Sequence, residues 1–205
     1  GLFMGLTGAR MNASDAMRIG LADLVIERQQ QDTLIEHITN QHWSGNTVAD
    51  DNRLFRLLDQ LEEAPAERLP ASQLATHEQD IARLCRRDEL PRVVQRLLDS
   101  PAGNDWWQAA MDGLRNACPV SLWLLERQLA HGLQMSLKDI FHMELVMAAH
   151  CVAHPDLQEG IRARLIDRDN QPAWRFRSLT EVPEDYVESH FVPHWPEAED
   201  PLADL

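Results

Sequence analysis

The sequence is poor in cysteine and lacks long apolar runs. It contains three cysteines in 205 residues, Cys85, Cys118 and Cys151, an odd number that argues against a disulfide framework and favours a reducing compartment. No apolar stretch approaches the roughly 20 residues that cross a bilayer, and no signal-peptide pattern is present. We therefore expect no membrane span and a cytoplasmic localisation.

Basic residues are also scarce, and lysine most of all. There are 33 acidic against 19 basic residues, which gives a formal net charge of −14, and Lys138 is the only lysine. A surface this negative repels phosphate backbones and anionic lipids. We therefore expect no nucleic-acid partner and no docking on membranes, and we ascribe the charge to solubility.

The usual signatures of catalytic and cofactor sites are missing. No glycine-rich loop opens a helix after a strand, so neither a dinucleotide site nor a phosphate-binding loop is predicted. His150 and His154 are spaced i, i+4, as are His190 and His194, and this spacing would suit a metal. No Glu follows His150 and no cysteine pair supplies further ligands, so we predict no metal site.

The sequence is instead dominated by helical patterns. Periodic apolar residues, bounded by caps, prolines and glycines, predict helices over 12–20, 29–41, 54–61, 90–98, 104–114, 119–132, 136–154 and 157–166, and around 81–84. Residues 24–26 are the only predicted strand, and residues 43–51 and 62–70 are predicted loops. The predicted fold class is mainly α, with at most one or two short strands.

Shifts in composition, together with prolines and glycines, divide the chain into four predicted segments. Residues 1–42 carry short helices and the strand, and residues 43–70 form a loop and linker region. Residues 71–191 form a helical domain. Residues 192–205 form an acidic, proline-containing tail that we expect to be flexible.

The first residues continue an apolar helical pattern through Leu2, Phe3 and Leu6, with no initiator Met and no capping residue before it. We expect from this that the chain is a fragment and that the core these side chains face lies partly upstream. A trimmed purification tag is the alternative origin. We also expect the isolated chain to self-associate through this apolar surface.

Glu144 is the first candidate for a substrate pocket. On the helix that starts at Ser136, it falls in the middle of an apolar stripe that extends over residues 137–151. A carboxylate in that position would be desolvated, and its pKa raised, unless it were paired. The alternative is a buried structural pair, with Arg127 or Arg162 as the partner.

Glu159 and Arg162 are the other candidates. They lie three residues apart on the next predicted helix and can pair locally. Gly160 between them allows close backbone approach. The two residues therefore form either part of a pocket wall or a surface pair beside a packed glycine.

Three passages resemble the crotonase (enoyl-CoA hydratase/isomerase) superfamily. The first contains LTGARMNASDA at 6–16, followed by GLA at 20–22. The other two resemble the 3-hydroxyisobutyryl-CoA hydrolases within it: CPVSL at 118–122 with RQL at 127–129, and EGIRA at 159–163 with LIDRD, Pro172 and Trp174. Order and spacing agree across most of residues 1–191, although 43–105 match poorly. Cys118, Val120 and Trp123 replace the Ser, Thr and Lys usual there.

The resemblance implies that the chain is the helical carboxyl-terminal portion of a crotonase-like α/β fold, with residues 1–42 as the end of the crotonase core. In that family the oxyanion-hole glycines and the catalytic acids precede the matched segment. The resemblance thus implies that this chain has no catalytic residue of its own and is inactive alone. It implies an acyl-CoA substrate, met through the amino-terminal core, and no cofactor beyond the coenzyme A of that substrate. Glu144, Glu159 and Arg162 would line the acyl-CoA pocket.

Three functions stay open at this point. The first is hydrolysis of the thioester of 3-hydroxyisobutyryl-CoA, or of a similar short acyl-CoA, in valine catabolism, which the passage over 159–174 favours. The second is an enoyl-CoA hydratase or isomerase, which shares the first passage. The third is a non-catalytic helical interaction module.

Overall fold

The computed structural model describes residues 1–61, 69–101, 103–196 and 199–203. The chain separates into two compact units, one formed by Gly1–Arg10 with Gln79–Leu205 and the other by Met11–Glu78. The predicted segment boundaries at residues 42, 70 and 191 stay predictions. The α-helices are α1 (Leu2–Thr7), α2 (Ala13–Arg18), α3 (Gln31–Asn40), α4 (Thr47–Leu58), α5 (Gln73–Leu84), α6 (Leu90–Leu98), α7 (Asp105–Arg115), α8 (Pro119–Gly132), α9 (Leu137–Ala153), α10 (Pro155–Ile161) and α11 (Glu184–Ser189).

The mainly helical fold class is confirmed, but the predicted strand over residues 24–26 is wrong. No strand occurs in the described ranges, and Ile26 is a single isolated bridge residue. The chain turns directly after it, because Glu27 and Gln30 cap the 3₁₀ turn Arg28–Gln30 reciprocally. None of the helices in the described part of the chain is long and apolar enough to span a membrane.

The smaller unit is organised around the buried carboxylate of Asp15. Asn12 and Asp15 form a capping box at the start of α2, in which the Asn12 side chain accepts from the Asp15 amide at 2.9 Å. The carboxylate also accepts from Ser72 Oγ at 2.7 Å and from the Leu74 amide at 2.9 Å. Burial alone would raise the pKa of Asp15, but these hydrogen bonds outweigh it and lower the pKa. The bonds tie α2 to the beginning of α5.

Helix α4 begins at Thr47, seven residues before its predicted start at Leu54. The side chain of Asn46 caps it by accepting from the Ala49 amide at 3.0 Å. Asp50, in the first turn, reaches back to the amide of Gly45 at 2.8 Å. Capping by polar residues therefore turns part of the predicted 43–51 loop into helix. The predicted connection over 62–70 lies mostly outside the described residues.

The main core of the larger unit is built around α1. Phe3 and Leu6 are buried against α6 and α7, and Phe3 stacks on Trp107 with ring centroids 5.3 Å apart. Phe3 and Leu6 thus pack on a core that this chain supplies, and the expectation that part of that core lies upstream stays a prediction. Helices α1 and α7 approach closely at Gly113, where a Cβ atom would lie 2.3 Å from the carbonyl oxygen of Thr7.

A second apolar cluster lies at the other end of the larger unit. It joins the start of α8 to the segment around α11, and its buried members are Cys118, Val120, Leu124, Val182 and Val187. Burial raises the pKa of the Cys118 thiol, which keeps the side chain neutral. The predicted helix over 157–166 is present as α10 followed by a π-helix, Arg162–Ile166.

Candidate functional site

Glu159 and Arg162 form a two-pronged ion pair. Arg162 Nε donates to one carboxylate oxygen of Glu159 at 2.9 Å, and Arg162 Nη2 donates to the other at 2.8 Å. The planar guanidinium matches a carboxylate in this geometry, which makes the pair directional. The spacing of the two residues correctly predicted the pairing.

The other donors of Arg162 hold the turn that follows. Nη1 donates to Asp167 at 2.6 Å and to Asp169 at 2.7 Å, and Nη2 donates to the carbonyl of Gln171 at 3.2 Å. A guanidinium has five N–H groups, and all five are used by these partners. We call these five residues the Arg162 network. Arg162 could contact a substrate only by giving up one of these partners.

The turn enclosed by the Arg162 network has a left-handed backbone at two positions. Arg168 and Asn170 have φ angles of 57° and 53°, a conformation that costs energy for residues other than glycine. The Asp167 amide bonds to the Arg162 carbonyl at 2.8 Å, and the Asn170 amide bonds to the Ala163 carbonyl at 3.0 Å. The π-helix and the ion pairs together stabilise this strained path.

Gly160 and Trp174 attach the turn to the body of the larger unit. A Cβ atom at Gly160 would lie 3.2 Å from the Trp174 ring, so the absence of a side chain lets the ring pack closely. Trp174 Nε1 donates to the carbonyl of Asn116 at 3.1 Å, just after α7. The Ala173 amide donates to Glu159 at 2.7 Å. These contacts fix the turn on two sides.

The charged side chains of the Arg162 network stay ionised at neutral pH. Hydrogen bonds from Arg162 and from the Ala173 amide lower the pKa of Glu159 to about 2. The bonds to Glu159, Asp169 and Asp167 raise the pKa of Arg162 above its usual value. Glu159 is therefore ionised and fully engaged, and it does not act as a proton donor or acceptor near neutral pH. The network orders a turn, and its part in a substrate pocket stays a prediction.

Glu144 does not occupy the buried position that the sequence predicted. Its side chain is exposed, and it accepts from Gln128 Nε2 at 2.8 Å. The expected partners are engaged elsewhere, since Arg127 pairs with carboxylates of α8 and α11 and Arg162 belongs to its own network. The predicted desolvated carboxylate is therefore wrong, and Glu144 is not brought to Glu159.

The error at Glu144 comes from the orientation of α9. Its buried face consists of Met143, Val146 and His150, whereas Leu137 and Phe141 are 69% and 47% exposed. Apolar residues occur all around this helix, so periodicity alone does not choose which face is buried.

The sequence analysis did not identify Asp167 and Asp169 as partners of Arg162. Only their place five and seven residues after Arg162 could have suggested them.

The four histidines of the two i, i+4 pairs come together in the structure, which the sequence did not predict. Even so, no three His, Cys, Asp or Glu side chains within the described ranges are arranged to share a metal ion. A separate open groove of about 530 Å³ lies between α9 and the chain after α11. Its lining includes Met143, Phe191 and Trp195 but none of the three candidate site residues.

Comparison with known proteins gives a consistent relationship along almost the whole chain. A family model described as enoyl-CoA hydratase/isomerase matches residues 1–191. The mitochondrial 3-hydroxyisobutyryl-CoA hydrolase of Xenopus laevis is 31% identical over 195 residues, covering 94% of this chain and 48% of that protein. The enzyme of the same name from Danio rerio is 29% identical, covering 93% of this chain and 48% of that protein. The chain spans about half the length of the curated relatives it matches.

Solved structures show the same relationship. An enoyl-CoA hydratase from Rhodobacter sphaeroides 2.4.1 matches with a TM-score of 0.70 and 25% identity, covering 94% of this chain and 51% of that one. A carnitinyl-CoA dehydratase from Mycobacterium thermoresistibile matches with a TM-score of 0.72 and 28% identity, with the same coverage. The helical architecture described above is thus shared with part of each of these larger folds.

Proposed function

Because this chain belongs to the enoyl-CoA hydratase/isomerase family, we propose that it is the helical carboxyl-terminal part of an enzyme that hydrolyses 3-hydroxyisobutyryl-CoA or a similar short acyl-CoA. The observation that carries the proposal is the match to proteins named 3-hydroxyisobutyryl-CoA hydrolase over 93–94% of the chain. The matched region includes the Arg162 network and the Trp174 contact that holds it.

The proposed reaction adds water to a thioester carbonyl. The carbon–sulfur bond breaks, the acyl group leaves as a carboxylic acid, and coenzyme A leaves as the free thiol. An oxyanion develops on the carbonyl oxygen, and aligned donors must stabilise it. The Arg162 network offers none, because its five donors are engaged. As the family resemblance implies, we propose that the catalytic groups lie outside this chain and that coenzyme A enters only as part of the substrate.

A hydratase is the second candidate. It is favoured by the solved neighbours, whose names are enoyl-CoA hydratase and carnitinyl-CoA dehydratase. Such an enzyme adds water across a carbon–carbon double bond and leaves the thioester intact. Release of thiol therefore separates the two candidates.

The test is thiol release from 3-hydroxyisobutyryl-CoA by the intact gene product, with this chain alone as the matched control. We expect release by the intact protein and none by the chain alone. Absence of thiol release by the intact protein, together with loss of enoyl absorbance when an enoyl-CoA is supplied as the substrate, would favour the hydratase. Release by this chain alone would contradict the placement of catalysis outside it.

Localisation and assembly are further parts of the proposal. The relatives from Xenopus laevis and Danio rerio carry "mitochondrial" in their names, whereas a cytoplasmic location stays our prediction for this protein. Self-association is also proposed. Phe3 and Leu6, from which it was expected, are buried, and its support is instead the large apolar side chains exposed on α9 and the π-helix.

A further inference from the structure

Four imidazole rings from two separate segments meet at the end of α9. His150 and His154 lie on or directly after its last turns, and His190 and His194 follow α11. The ring centroids of His150 and His194 are 3.6 Å apart. Those of His154 and His190 are 4.7 Å apart, and those of His150 and His190 are 5.4 Å apart. These four residues are called the histidine cluster below.

The two central rings are buried and hydrogen-bonded to backbone carbonyls. His190 is 1% exposed and His150 is 7% exposed. His150 Nε2 donates to the carbonyl of Val192 at 2.8 Å, and His190 Nδ1 donates to the carbonyl of Tyr186 at 2.8 Å. The first of these bonds joins α9 directly to the chain after α11. The cluster is thus a main attachment of that segment.

Neutral imidazoles can pack at these distances without charge repulsion, whereas imidazolium ions repel one another. Burial lowers the pKa of His190, and the neighbouring His154 and His150 lower it further, against the bond to Tyr186. Burial also lowers the pKa of His154, together with His150, Arg175 and His194. His154 and His190 are therefore mostly neutral at pH 7 and resist taking up protons while the cluster is assembled.

The surrounding charges do not offset this effect. Asp156, from α10, favours the protonated form of both His154 and His190. Arg175 opposes protonation of His154, and its guanidinium lies 5.0 Å from the ring centroid of Tyr186. Tyr186 contacts the rings of both His154 and His190. Its phenol and the thiols of Cys118 and Cys151, which interact with it, are uncharged in this range because burial raises the pKa of each.

We propose that the histidine cluster is an acid-sensitive latch, which holds residues 184–195 on α9 while its rings are neutral and releases them when it takes up protons. After release, water would hydrate the imidazoles of the cluster, and those on the segment would lie farther from those on α9. It would also uncover the second apolar cluster, because Val187 would leave Cys118 and Leu124. Release therefore converts a modest fall in pH into exposure of an apolar surface.

The direction of the pH effect follows from proton linkage. After release, His154 and His190 each have the ordinary histidine pKa of about 6.5, which is above their lowered pKa in the assembled cluster. The released state therefore binds more protons below about pH 6.5. Attachment is fully present above that pH and weakens as pH falls, by about tenfold per pH unit for each extra proton bound.

The test is hydrogen exchange of the intact gene product between about pH 7.5 and 5.5, with EDTA present and with rates corrected for the intrinsic effect of pH. The reporting amides are those of Val187 and His190, which donate to the carbonyls of Pro183 and Val187. We expect their protection to fall on acidification while the amides of α6 stay protected. Unchanged protection, or a parallel loss in α6, would overturn the proposal.

Variants connect the effect to the cluster. His154→Gln removes a ring whose pKa is lowered in the cluster, and His194→Gln removes a neighbour that lowers the pKa of His154. His154 is half-buried and His194 is exposed, so neither change leaves a large cavity. We expect each to move the loss of protection to lower pH. His37→Gln is the matched control, since His37 is exposed in the other unit. A midpoint equal to that of the control variant in both cluster variants would contradict the latch.

Discussion

The carboxylate of Glu159 couples its own ionisation to the order of the turn over residues 167–173. Because its pKa is lowered to about 2, its contribution to that order is fully present above its unfolded-state pKa of about 4.3. The contribution is lost as pH falls from there towards the lowered value. At any pH near neutrality the turn is therefore fixed.

This coupling gives a prediction for NMR. The Ala173 amide donates to Glu159, so its proton chemical shift should titrate with a midpoint of about 2. In Glu159→Gln the acid-range titration of this amide should disappear, and the amides of the 167–171 turn should exchange faster at neutral pH. A midpoint near the ordinary glutamate value of about 4.3 would show that the network does not hold the carboxylate.

Residue identity and spacing predicted only part of this site. The pairing of Glu159 with Arg162 followed from their three-residue separation on a helix. The return of Asp167 and Asp169 to Arg162 did not, because it depends on left-handed backbone at Arg168 and Asn170. Such conformations in non-glycine residues are uncommon, so local propensity does not predict them.

Helices α1 and α7 cross at Gly113. Of all the glycines, this is the one at which an added Cβ would come closest to another backbone atom. A Cβ at residue 113 would lie 2.3 Å from the Thr7 carbonyl oxygen, and a backbone atom does not move aside as a side chain does. The two helices would have to separate, and the Phe3 and Leu6 contacts with α7 would loosen.

We therefore predict that Gly113→Ala lowers the free energy of unfolding by about 1–3 kcal/mol, as overpacking usually does. Gly132→Ala is the matched control, since it lies at the end of α8 with no atom within 4 Å of an added Cβ. That change should be neutral or stabilising by up to about 1 kcal/mol. Urea denaturation of both variants measures the difference, and equal midpoints would argue against the close crossing.

Helix boundaries were more predictable than helix orientation. Leu90–Leu98 and Pro119–Gly132 coincide with the prediction, because proline and glycine mark their ends. The orientation of α9 was wrong, since Leu137 and Met143 are equally apolar and only tertiary packing distinguishes them. The strand expected over residues 24–26 failed similarly, because three apolar residues are too few to specify a strand.

At the scale of the whole molecule, the exposed apolar side chains predict self-association of the isolated chain. Leu137 and Phe141 share one face of α9, and Leu165 and Ile166 are 64% and 70% exposed on the π-helix. Light scattering should show species larger than 23.4 kDa. The double substitution Leu137→Gln and Phe141→Gln should shift the distribution towards monomer.

Val48→Gln serves as the control for that measurement, because Val48 is 71% exposed but lies in the other unit. It should leave the distribution unchanged. A monodisperse monomer for the unsubstituted chain would contradict the prediction.

The Arg162 network also bears on the order in which the chain folds. Its bonds join residues at most 14 positions apart, so little loop entropy is lost when they form. The hydrogen bond from Trp106 to the carbonyl of Arg10, in contrast, joins residues that are 96 positions apart in the sequence. Short-range contacts form faster than long-range ones, so the turn after α10 can be in place before the segment that contains α1 docks. When the complete chain refolds, the apolar side chains of α1 therefore stay exposed to water until α7 closes on them.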